Sequence, residues 1–381
     1  MTYCSMHGES SRADSGSVPH DSADSPAVEG DPSSVTSDAH TRPRRSDARR
    51  VTIGDVAERA GVSIATVSRA VNQKYGVSPG TVDRVREVIE ELGYESSLVA
   101  RSLRNVRTNV VGILVPGIDP FGAELLKGVA RAIQETEYEL VIYAGGLHGE
   151  AGWERRYLSR LSGTLTDGII LAAPTVHEID STHPVVAVDP QLGTSSVSTV
   201  RSQNYEGAKA ATQHLIDLGH RRIGFLAGRS DLESARRREA GYRAALEDNG
   251  LDFDPVLVQV GGFTEETSVT PALTLLSLAN RPTAIFASND LSAIQVLRTA
   301  DELGLSVPDE LSVVGFDNIP ESAMTDPPLT TVDQSIQSLG ERAVHILVDL
   351  MERLDPPDDL THATLPTRLV VRKSCRRLEQ P

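Results

Sequence analysis

Polar side chains follow several short apolar runs in the middle and the second half of the chain. Carboxylate, amide and guanidinium groups can hydrogen-bond vicinal hydroxyl groups, and an aromatic face can stack on the C–H face of a sugar ring. Asp and Asn at such positions also commonly form turns and helix caps, so each has a purely local interpretation as well. The candidates for ligand contact are Asp119, Phe121, Asp189, Arg236, Phe263, Asn289 and Asp317.

The common catalytic motifs that we searched for do not occur with these candidates. The first apolar run is not followed by G-x-G-x-x-G, and the chain contains neither a P-loop nor a G-x-S-x-G nucleophile elbow. The ten histidines are scattered without H-x-x-x-H spacing, and no two carboxylates stand out as an acid–base couple. We therefore expect a protein that binds a small molecule without enzymatic activity, a metal or a cofactor.

A second group of candidate residues lies in residues 51–72, which have the pattern of two short helices joined by a tight turn. Thr52 can cap the first helix, and Gly61 can end it in a left-handed conformation that costs glycine little. Ser63 can cap the second helix, whose apolar residues recur at helical spacing. A helix with small and basic residues facing outward can enter the DNA major groove, although most helical hairpins bind nothing. The outward residues are Ile64, Ala65, Ser68 and Arg69.

A third helix and a linker follow this pair. Ser78 can cap the helix, with Pro79 at its first position, where proline is tolerated. We predict a headpiece over residues 49–95 and a partly helical linker over residues 96–108. A helix as short as this linker is marginal alone, so we expect it to fold when packed against a second copy and DNA. Alternatively, its apolar residues dock onto the body. The predicted buried stripe of the third helix is Val82, Val85, Ile89 and Leu92.

From residue 109 to residue 381, apolar runs rich in Val and Ile alternate with helical patterns. This alternation predicts parallel sheets with right-handed crossovers, because strands buried on both faces are apolar throughout. Two series of runs indicate two α/β lobes, and the cleft between such lobes is a natural ligand site. The PTRLVVRKSC segment is expected to add a closing strand. The predicted strands are 110–116, 139–144, 167–173, 184–189, 221–228, 256–262, 283–290 and 311–318.

Charge is distributed unevenly along the 381 residues, whose formal net charge is −16. Between Arg49 and Arg107, ten Lys and Arg stand against seven Asp and Glu, a local net charge of +3 that leaves −19 for the remainder. A weakly basic head on an acidic body fits a local contact with DNA. The acidic surface elsewhere discourages nonspecific adhesion.

Residues 1–48 are rich in Ser, Asp, Pro and Ala and have almost no large apolar side chains. Such a segment cannot bury enough surface to offset its chain entropy, so we predict a disordered tail. The chain has no secretory h-region and no run long enough to cross a membrane, which favours the cytoplasm and no membrane partner. Cys4 and Cys375 lie near opposite ends, a pattern compatible with a reducing compartment.

Three motifs, DVAERAGVSIATVSRAVN, GYESSLVARSLR and VGILVP, together resemble the lactose/galactose-repressor family of bacterial transcription regulators. The resemblance runs from about residue 51 to the C-terminus. It implies an α/β fold class: a small all-α helix-turn-helix headpiece, a hinge helix, and a two-lobed periplasmic-binding-protein-like body that binds an effector and dimerises. Where the family often has Asn-Pro before the hinge, this chain has Ser96 and Ser97, so we expect a less rigid hinge without DNA.

The resemblance also assigns roles to individual residues. It implies base contacts by Ile64, Ala65 and Arg69, and phosphate contacts by Ser63, Thr66 and Ser68. Leu103 is the expected wedge between base steps in the minor groove. The expected DNA-binding set is completed by Asn72, Val99 and Ala100. The positions that it assigns to the effector are Asp189, Arg236, Phe263, Asn289 and Asp317.

The implied function is a homodimeric repressor of sugar uptake or catabolism genes that a small sugar effector releases from a palindromic operator. Purine effectors and corepressor-dependent relatives also occur in the family, so both alternatives stay open. The rival from another class is a solute-binding or enzymatic α/β protein with an inactive helical head. Salt-dependent, sequence-selective retention of promoter DNA would separate the two classes.

Overall fold

The computed structural model describes most of the chain from residue 51 onward. The predicted disordered tail, residues 1–48, lies outside the described residues, as do Asn72, Val99, Ala100, Leu103 and most of the predicted hinge. The described residues are 51–71, 76–92, 107–145, 153–161, 165–176, 178–179, 181, 183–192, 196–352 and 360–378.

Three helices form the headpiece: α1 (Ile53–Ala60), α2 (Ile64–Val71) and α3 (Pro79–Leu92). Each contributes one fully buried valine to a small shared core, namely Val56, Val67 and Val85. The predicted stripe of α3 was partly wrong, because Val88 is buried whereas Val82, Ile89 and Leu92 are only half-buried.

Lobe 1 is built on a six-stranded parallel sheet in the order β11-β5-β4-β3-β1-β2. Helices α4 (Pro120–Ile133) and α10 (Ile336–Glu352) pack on one face, and α5 (Trp153–Leu161) packs on the other. The inner strands β1, β3 and β4 are therefore fully buried between helices on both sides, whereas the edge strand β2 is partly exposed. The strands are β1 (Val110–Val115), β2 (Glu139–Ala144), β3 (Gly168–Ala172), β4 (Val185–Val188), β5 (Ser198–Ser202) and β11 (His362–Leu365).

Lobe 2 repeats this design in the order β12-β10-β9-β8-β6-β7, with β12 antiparallel to β10. Helices α6 (Asn204–Asp217) and α7 (Glu233–Asp248) cover one face, and α8 (Glu265–Leu276) and α9 (Asp290–Glu302) cover the other. The strands are β6 (Ile223–Ala227), β7 (Val258–Val260), β8 (Ala284–Ala287), β9 (Ser312–Asp317), β10 (Thr330–Asp333) and β12 (Arg368–Val370), and single 3₁₀ turns lie at Pro255–Leu257 and Pro320–Ala323.

The predicted α/β class with a helical head and two parallel-sheet lobes is confirmed. All eight predicted strands are present, each within a few residues of the expected bounds. The predicted closing strand in PTRLVVRKSC is present as β12 of the second sheet. Strand β11, formed by the residues before this motif, was not predicted, and neither were β5 and β10.

The chain passes between the lobes at three neighbouring connections: after β5, after β10 and between β11 and β12. Hydrogen bonds tie these connections together, since the Gln203 N–H donates to the Leu365 carbonyl at 3.0 Å and the Ser202 hydroxyl donates to Gln334 Oε1 at 2.8 Å. The Thr367 hydroxyl also donates to the Gln203 carbonyl at 3.3 Å. Three short, adjacent connections of this kind form an inter-lobe hinge.

The packing of α4 on α10 requires glycine at one point. A Cβ atom added to Gly128 would lie 1.9 Å from the carbonyl oxygen of Gln337, a backbone atom that a rotamer change cannot move. We expect Gly128→Ala to destabilise the body by about 1–3 kcal/mol, the usual range for overpacking. Urea unfolding followed by circular dichroism measures this. The matched control is Gly80→Ala in α3, where no atom lies within 4 Å of the added Cβ; an equal loss of body stability in both variants would contradict the prediction.

Candidate functional site

The turn between α1 and α2 follows from two residues. Gly61 adopts a φ of +68°, and the next amide, that of Val62, donates to the Ala57 carbonyl at 3.0 Å, which satisfies a carbonyl at the end of α1. Ser63 Oγ then accepts the Thr66 N–H at 3.1 Å and caps α2. The predicted glycine stop and serine cap therefore both occur in the structure.

The outer face of α2 carries the residues that were expected to meet DNA. Ile64 is 55% exposed, and Ala65 and Arg69 are exposed as well. Ser63 is exposed, whereas Thr66 and Ser68 are half-buried. The inner side of the helix is held by Val67 and Ala70, with exposed fractions of 0% and 5%. A rigid helix with one apolar and one basic side chain standing outward has the shape of a major-groove reader.

A cavity of about 310 Å³ lies between the two lobes, at the carboxyl ends of their strands. Both lobes contribute polar side chains to its wall, as expected for a ligand site in sheets of this type. Of the predicted effector residues, the structure brings six together in this cleft: Asp119, Phe121, Asp189, Phe263, Asn289 and Asp317.

Arg236 was predicted to contact the effector, but it lies outside the cleft and this prediction was wrong. Arg236 is exposed, outside the cleft, and its Nη1 donates to the carbonyls of Ser230 and Asp231 at 3.2 and 2.9 Å. Arg238 lines the cavity instead and is 3% exposed. The two residues lie about 200° apart around α7, so only one can face the cleft.

The Arg238 guanidinium is held from several directions. Its Nε donates to Asn204 Oδ1 at 2.8 Å, and its Nη1 donates to the Ser288 carbonyl and lies 3.3 Å from Asp317 Oδ1. Its Cζ lies 3.8 Å from the centre of the Phe316 ring, a cation–π distance. The group is thus fixed in orientation, and much of its hydrogen-bonding capacity is already used by the protein.

Asp317 ends β9 and is almost fully buried in the wall of the cleft. It is 6% exposed, and its Oδ1 accepts a hydrogen bond from Gln334 Nε2 at 2.6 Å. Burial raises the pKa of Asp317 to about 7, while the Arg238 charge opposes this rise and the carboxylates of Asp119 and Asp189 add to it. Asp317 therefore titrates near neutral pH.

Asp189 faces the cleft from lobe 1, at the end of β4. Its Oδ2 accepts Gln191 Nε2 at 3.1 Å, and its Oδ1 accepts Asn204 Nδ2 at 3.3 Å. Burial raises the pKa of Asp189, and the positive charge of Arg238 works against that rise. This carboxylate thus takes part in hydrogen bonds with both lobes.

Asp119 and Asn289 each cap a helix and also lie at the cavity. Asp119 Oδ1 accepts the Gly122 N–H at 2.7 Å and caps α4, while Asn289 Oδ1 accepts the Ser292 N–H at 3.0 Å and caps α9. Burial raises the pKa of Asp119. Both are therefore helix caps, and both still border the cavity, so capping does not exclude a ligand contact.

Phe263 lies beside a glycine that makes room for its ring. A Cβ atom on Gly228 would stand 2.4 Å from Phe263 Cζ, so glycine permits this approach. The Phe263 carbonyl accepts Asn289 Nδ2 at 2.9 Å, which ties the loop to the start of α9. With Phe121 on the opposite lobe, the cleft has an aromatic group from each side.

Backbone strain concentrates at the cleft. Among the described residues, six other than glycine have positive φ, and three of these line the cavity: Ala173 at 45°, Asp189 at 46° and Asp317 at 116°. Such conformations cost free energy and cluster at functional sites. The two carboxylates are therefore held in place by the surrounding structure at a local cost.

Several cleft residues were not anticipated from the sequence: Gln191, Ser234, Arg238 and Gln334. Arg238 was detectable, since Ala235 and Tyr242 lie three residues before and four residues after it and mark the buried side of α7. Within the part of the chain that the structure describes, no cluster of His, Cys, Asp or Glu is arranged to hold a metal ion. The arrangement offers fixed acceptors and aromatic faces to a polar ligand.

Comparisons with known proteins identify both parts of the chain. Residues 52–97 match the family described as bacterial regulatory proteins, lacI family, and residues 212–375 match a periplasmic binding protein-like domain. The HTH-type transcriptional repressor PurR of Photobacterium profundum is 32% identical over 335 residues, covering 86% of this chain and 99% of PurR.

Solved structures agree with this assignment. A complex of the transcriptional regulator CelR with cellobiose is 34% identical with a TM-score of 0.63, covering 85% of this chain and 100% of CelR. The lac repressor dimer bound to operator and the anti-inducer ONPF is 27% identical with a TM-score of 0.74, covering 86% of this chain and 100% of the repressor chain. With its helix-turn-helix head and its two-lobed ligand-binding body, the chain belongs to the lacI family of bacterial regulatory proteins and is a DNA-binding transcriptional regulator.

Proposed function

We propose that this regulator is a homodimeric repressor whose α2 helices read the half-sites of a palindromic operator, and whose cleft binds a small neutral sugar. The observation that carries the proposal is the cleft itself, where carboxylates and aromatic rings from both lobes surround a cavity of about 310 Å³. A lac repressor dimer bound to operator and a CelR complex with cellobiose support it as structural relatives.

The electrostatics of the cleft favour an uncharged polyhydroxyl ligand. Three carboxylates, Asp119, Asp189 and Asp317, face a cavity in which the Arg238 guanidinium is already bonded to protein acceptors. The second arginine of the wall, Arg229, is paired with Asp231 at 2.6 Å. Both arginines among the described residues of the wall are thus already paired, so a phosphorylated or carboxylated ligand would meet repulsion from the carboxylates, whereas hydroxyl groups can donate to them.

The proposed mechanism has two states of lobe spacing. One state holds the two linkers of the dimer close enough for both headpieces to reach their half-sites, and the other separates them. A ligand shifts this balance only by its differential affinity for the two states, so a tenfold change in operator affinity needs about 1.4 kcal/mol of coupling.

We further propose that the ligand leaves the cleft chemically unchanged and that the protein acts in the cytoplasm, where an operator is accessible. The relatives are transcriptional regulators, which supports a non-enzymatic role. Among the described helices, none combines the length and the apolar character needed to cross a bilayer.

Two measurements test the proposal together. A thermal-stability screen against neutral sugars, sugar phosphates and purine bases should raise the melting temperature with a neutral sugar, because a ligand that binds the folded form stabilises it. A gel-shift titration on promoter DNA should then show operator release by that sugar. Stronger retention would identify a corepressor instead. Stabilisation by a phosphorylated ligand alone, or salt-insensitive and sequence-independent DNA binding, would contradict the proposal.

The pH dependence of ligand affinity follows from Asp317. A hydroxyl group that donates to this carboxyl group favours its ionised form, so ligand binding lowers its pKa from about 7 and releases a proton. Affinity should therefore rise as pH increases from 6 to 8 and level off above that range. Isothermal titration in buffers of different ionisation enthalpy measures both the affinity and the proton release. In Asp317→Asn the dependence should flatten; a wild-type affinity that falls with rising pH would contradict this sign.

A further inference from the structure

Helix α7 begins without a cap from its own lobe. The residue at its N-cap position is Leu232, whose apolar side chain makes no capping hydrogen bond. Donors in the first helical turn instead reach across to Gln191, in the loop that follows β4 of lobe 1. The Glu233 N–H donates to the Gln191 carbonyl at 2.9 Å, and the Ser234 N–H faces Gln191 Oε1 at 3.4 Å. The opposite lobe thus accepts hydrogen bonds from two of the orphan donors of this helix.

Side-chain contacts strengthen this connection. The Ser234 hydroxyl donates to Gln191 Oε1 at 2.8 Å, and both residues are 5% exposed. Beside them, Arg201 on β5 of lobe 1 lies 3.4 Å from the Glu233 carboxylate, a partly buried ion pair that also joins the lobes. Arg237 shares the same carboxylate at 2.7 Å from within lobe 2.

The same glutamine contacts the ligand cleft. Gln191 Nε2 donates to the Asp189 carbonyl at 2.8 Å and lies 3.1 Å from Asp189 Oδ2. One turn beyond Ser234, α7 carries Arg238 into the cleft from the other side. Gln191 therefore bridges a cleft carboxylate of lobe 1 and the helix of lobe 2 that positions the cleft guanidinium.

Separating the lobes breaks the hydrogen bonds of Gln191 to Glu233 and Ser234. The first turn of α7 loses its acceptor, and the buried Gln191 amide loses its partner on Ser234. In the separated state water hydrates these groups, and exchanging the protein hydrogen bonds for hydrogen bonds to water disfavours that state by the net value of each bond. We propose that Gln191 is a positioning residue that caps α7 across the lobes and sets their spacing before any ligand binds. The inference relies on the proposed function only in taking the cleft as the ligand site.

The test measures lobe spacing directly, in the full-length protein without ligand or DNA. Spin labels at Ala144 and Val260 report it, because these exposed residues end the corresponding edge strands β2 and β7 and do not line the cavity. Dilution with unlabelled chain restricts pulsed electron paramagnetic resonance distances to those within one chain. Gln191→Ala and Ser234→Ala should each shift the distance distribution to longer values than in the parent protein.

The matched control removes a helix cap that lies within one lobe. Thr264 Oγ1 accepts the Thr267 N–H at 3.2 Å and caps α8 inside lobe 2. Thr264→Ala should lower stability while leaving the inter-lobe distance unchanged, which separates a lost cap from a lost connection between lobes. If Gln191→Ala does not fold, the milder Ser234→Ala decides the outcome. Unchanged distances in the folded variants overturn the inference, and this result would be independent of whether the protein binds sugar or operator.

Discussion

Arg69→Ala should weaken binding to the specific operator by about 1–3 kcal/mol per half-site, roughly 5- to 150-fold, while ligand affinity stays unchanged. Arg69 is exposed on the outer face of α2, beside Ile64 and Ala65, and the helix is anchored from the other side by Val67. A side chain in this position can reach base edges, so its loss should remove sequence discrimination as well as affinity. Quantitative gel shifts on the operator and on a scrambled duplex measure both effects.

Arg86→Ala is the matched control for this experiment. Arg86 is an exposed arginine of the same headpiece but lies on α3 rather than on the helix expected to enter the groove. Its loss changes the net charge equally and should affect specific and scrambled DNA alike. If Arg69→Ala lowered both affinities by the same factor, Arg69 would be a phosphate contact and the assignment to base reading would be wrong.

Arg238→Met should abolish the stabilisation that the ligand confers and should also destabilise the body itself by about 3–5 kcal/mol, the usual cost of breaking a buried ion pair. The guanidinium contacts Asn204, Ser288 and Asp317 in a site that is almost fully buried. With the positive charge gone, Asp317 takes up a proton more readily. A carboxyl group whose pKa is higher in the folded state than in the unfolded state makes the folded protein less stable as pH rises towards that raised pKa. The destabilisation by Arg238→Met should therefore be larger at pH 8 than at pH 6.

Arg236→Met provides the control, two residues away on the same helix. Arg236 is exposed and donates to carbonyls of the preceding loop, so its replacement should change stability by no more than about 0.5 kcal/mol and leave the ligand response intact. Urea unfolding at pH 6 and pH 8, with and without the sugar found by the stability screen, distinguishes the two arginines. Loss of the ligand response in Arg236→Met but not in Arg238→Met would restore the original assignment.

The correction at these two arginines shows where sequence reasoning was incomplete. The motif SARRR offers three consecutive guanidinium groups, and choosing among them requires the rotational phase of the helix. That phase can be read from the buried residues Ala235, Tyr242 and Ala245, which lie at spacings of seven and three. Arg238 falls on their side, whereas Arg236 points to solvent. Family resemblance indicated the right helix, and helical periodicity was needed to indicate the right residue.

Among the strands, too, some could be predicted from the sequence and others could not. Strands β1, β3, β8 and β9 are buried on both faces and mostly apolar, so hydrophobic runs revealed them. Strands β5 and β10 are as deeply buried but contain Ser and Thr, whose hydroxyl groups find partners inside the protein, as Thr199 does with His362 at 2.9 Å. A polar strand satisfied by tertiary hydrogen bonds carries no hydrophobic signal. The position of Gln191 at the start of α7 likewise depends on the meeting of two lobes that are distant in sequence.

The consecutive strands β11 and β12 near the C-terminus also affect how the protein folds during synthesis. His362–Leu365 completes the sheet of lobe 1 and Arg368–Val370 completes that of lobe 2, although most of each sheet is encoded far upstream. On a translating ribosome, neither sheet can acquire its edge strand until residues 362–370 have emerged. Both lobes should therefore reach their final form together, after synthesis of the body is almost over, and nascent chains arrested before residue 360 should remain sensitive to protease in both halves.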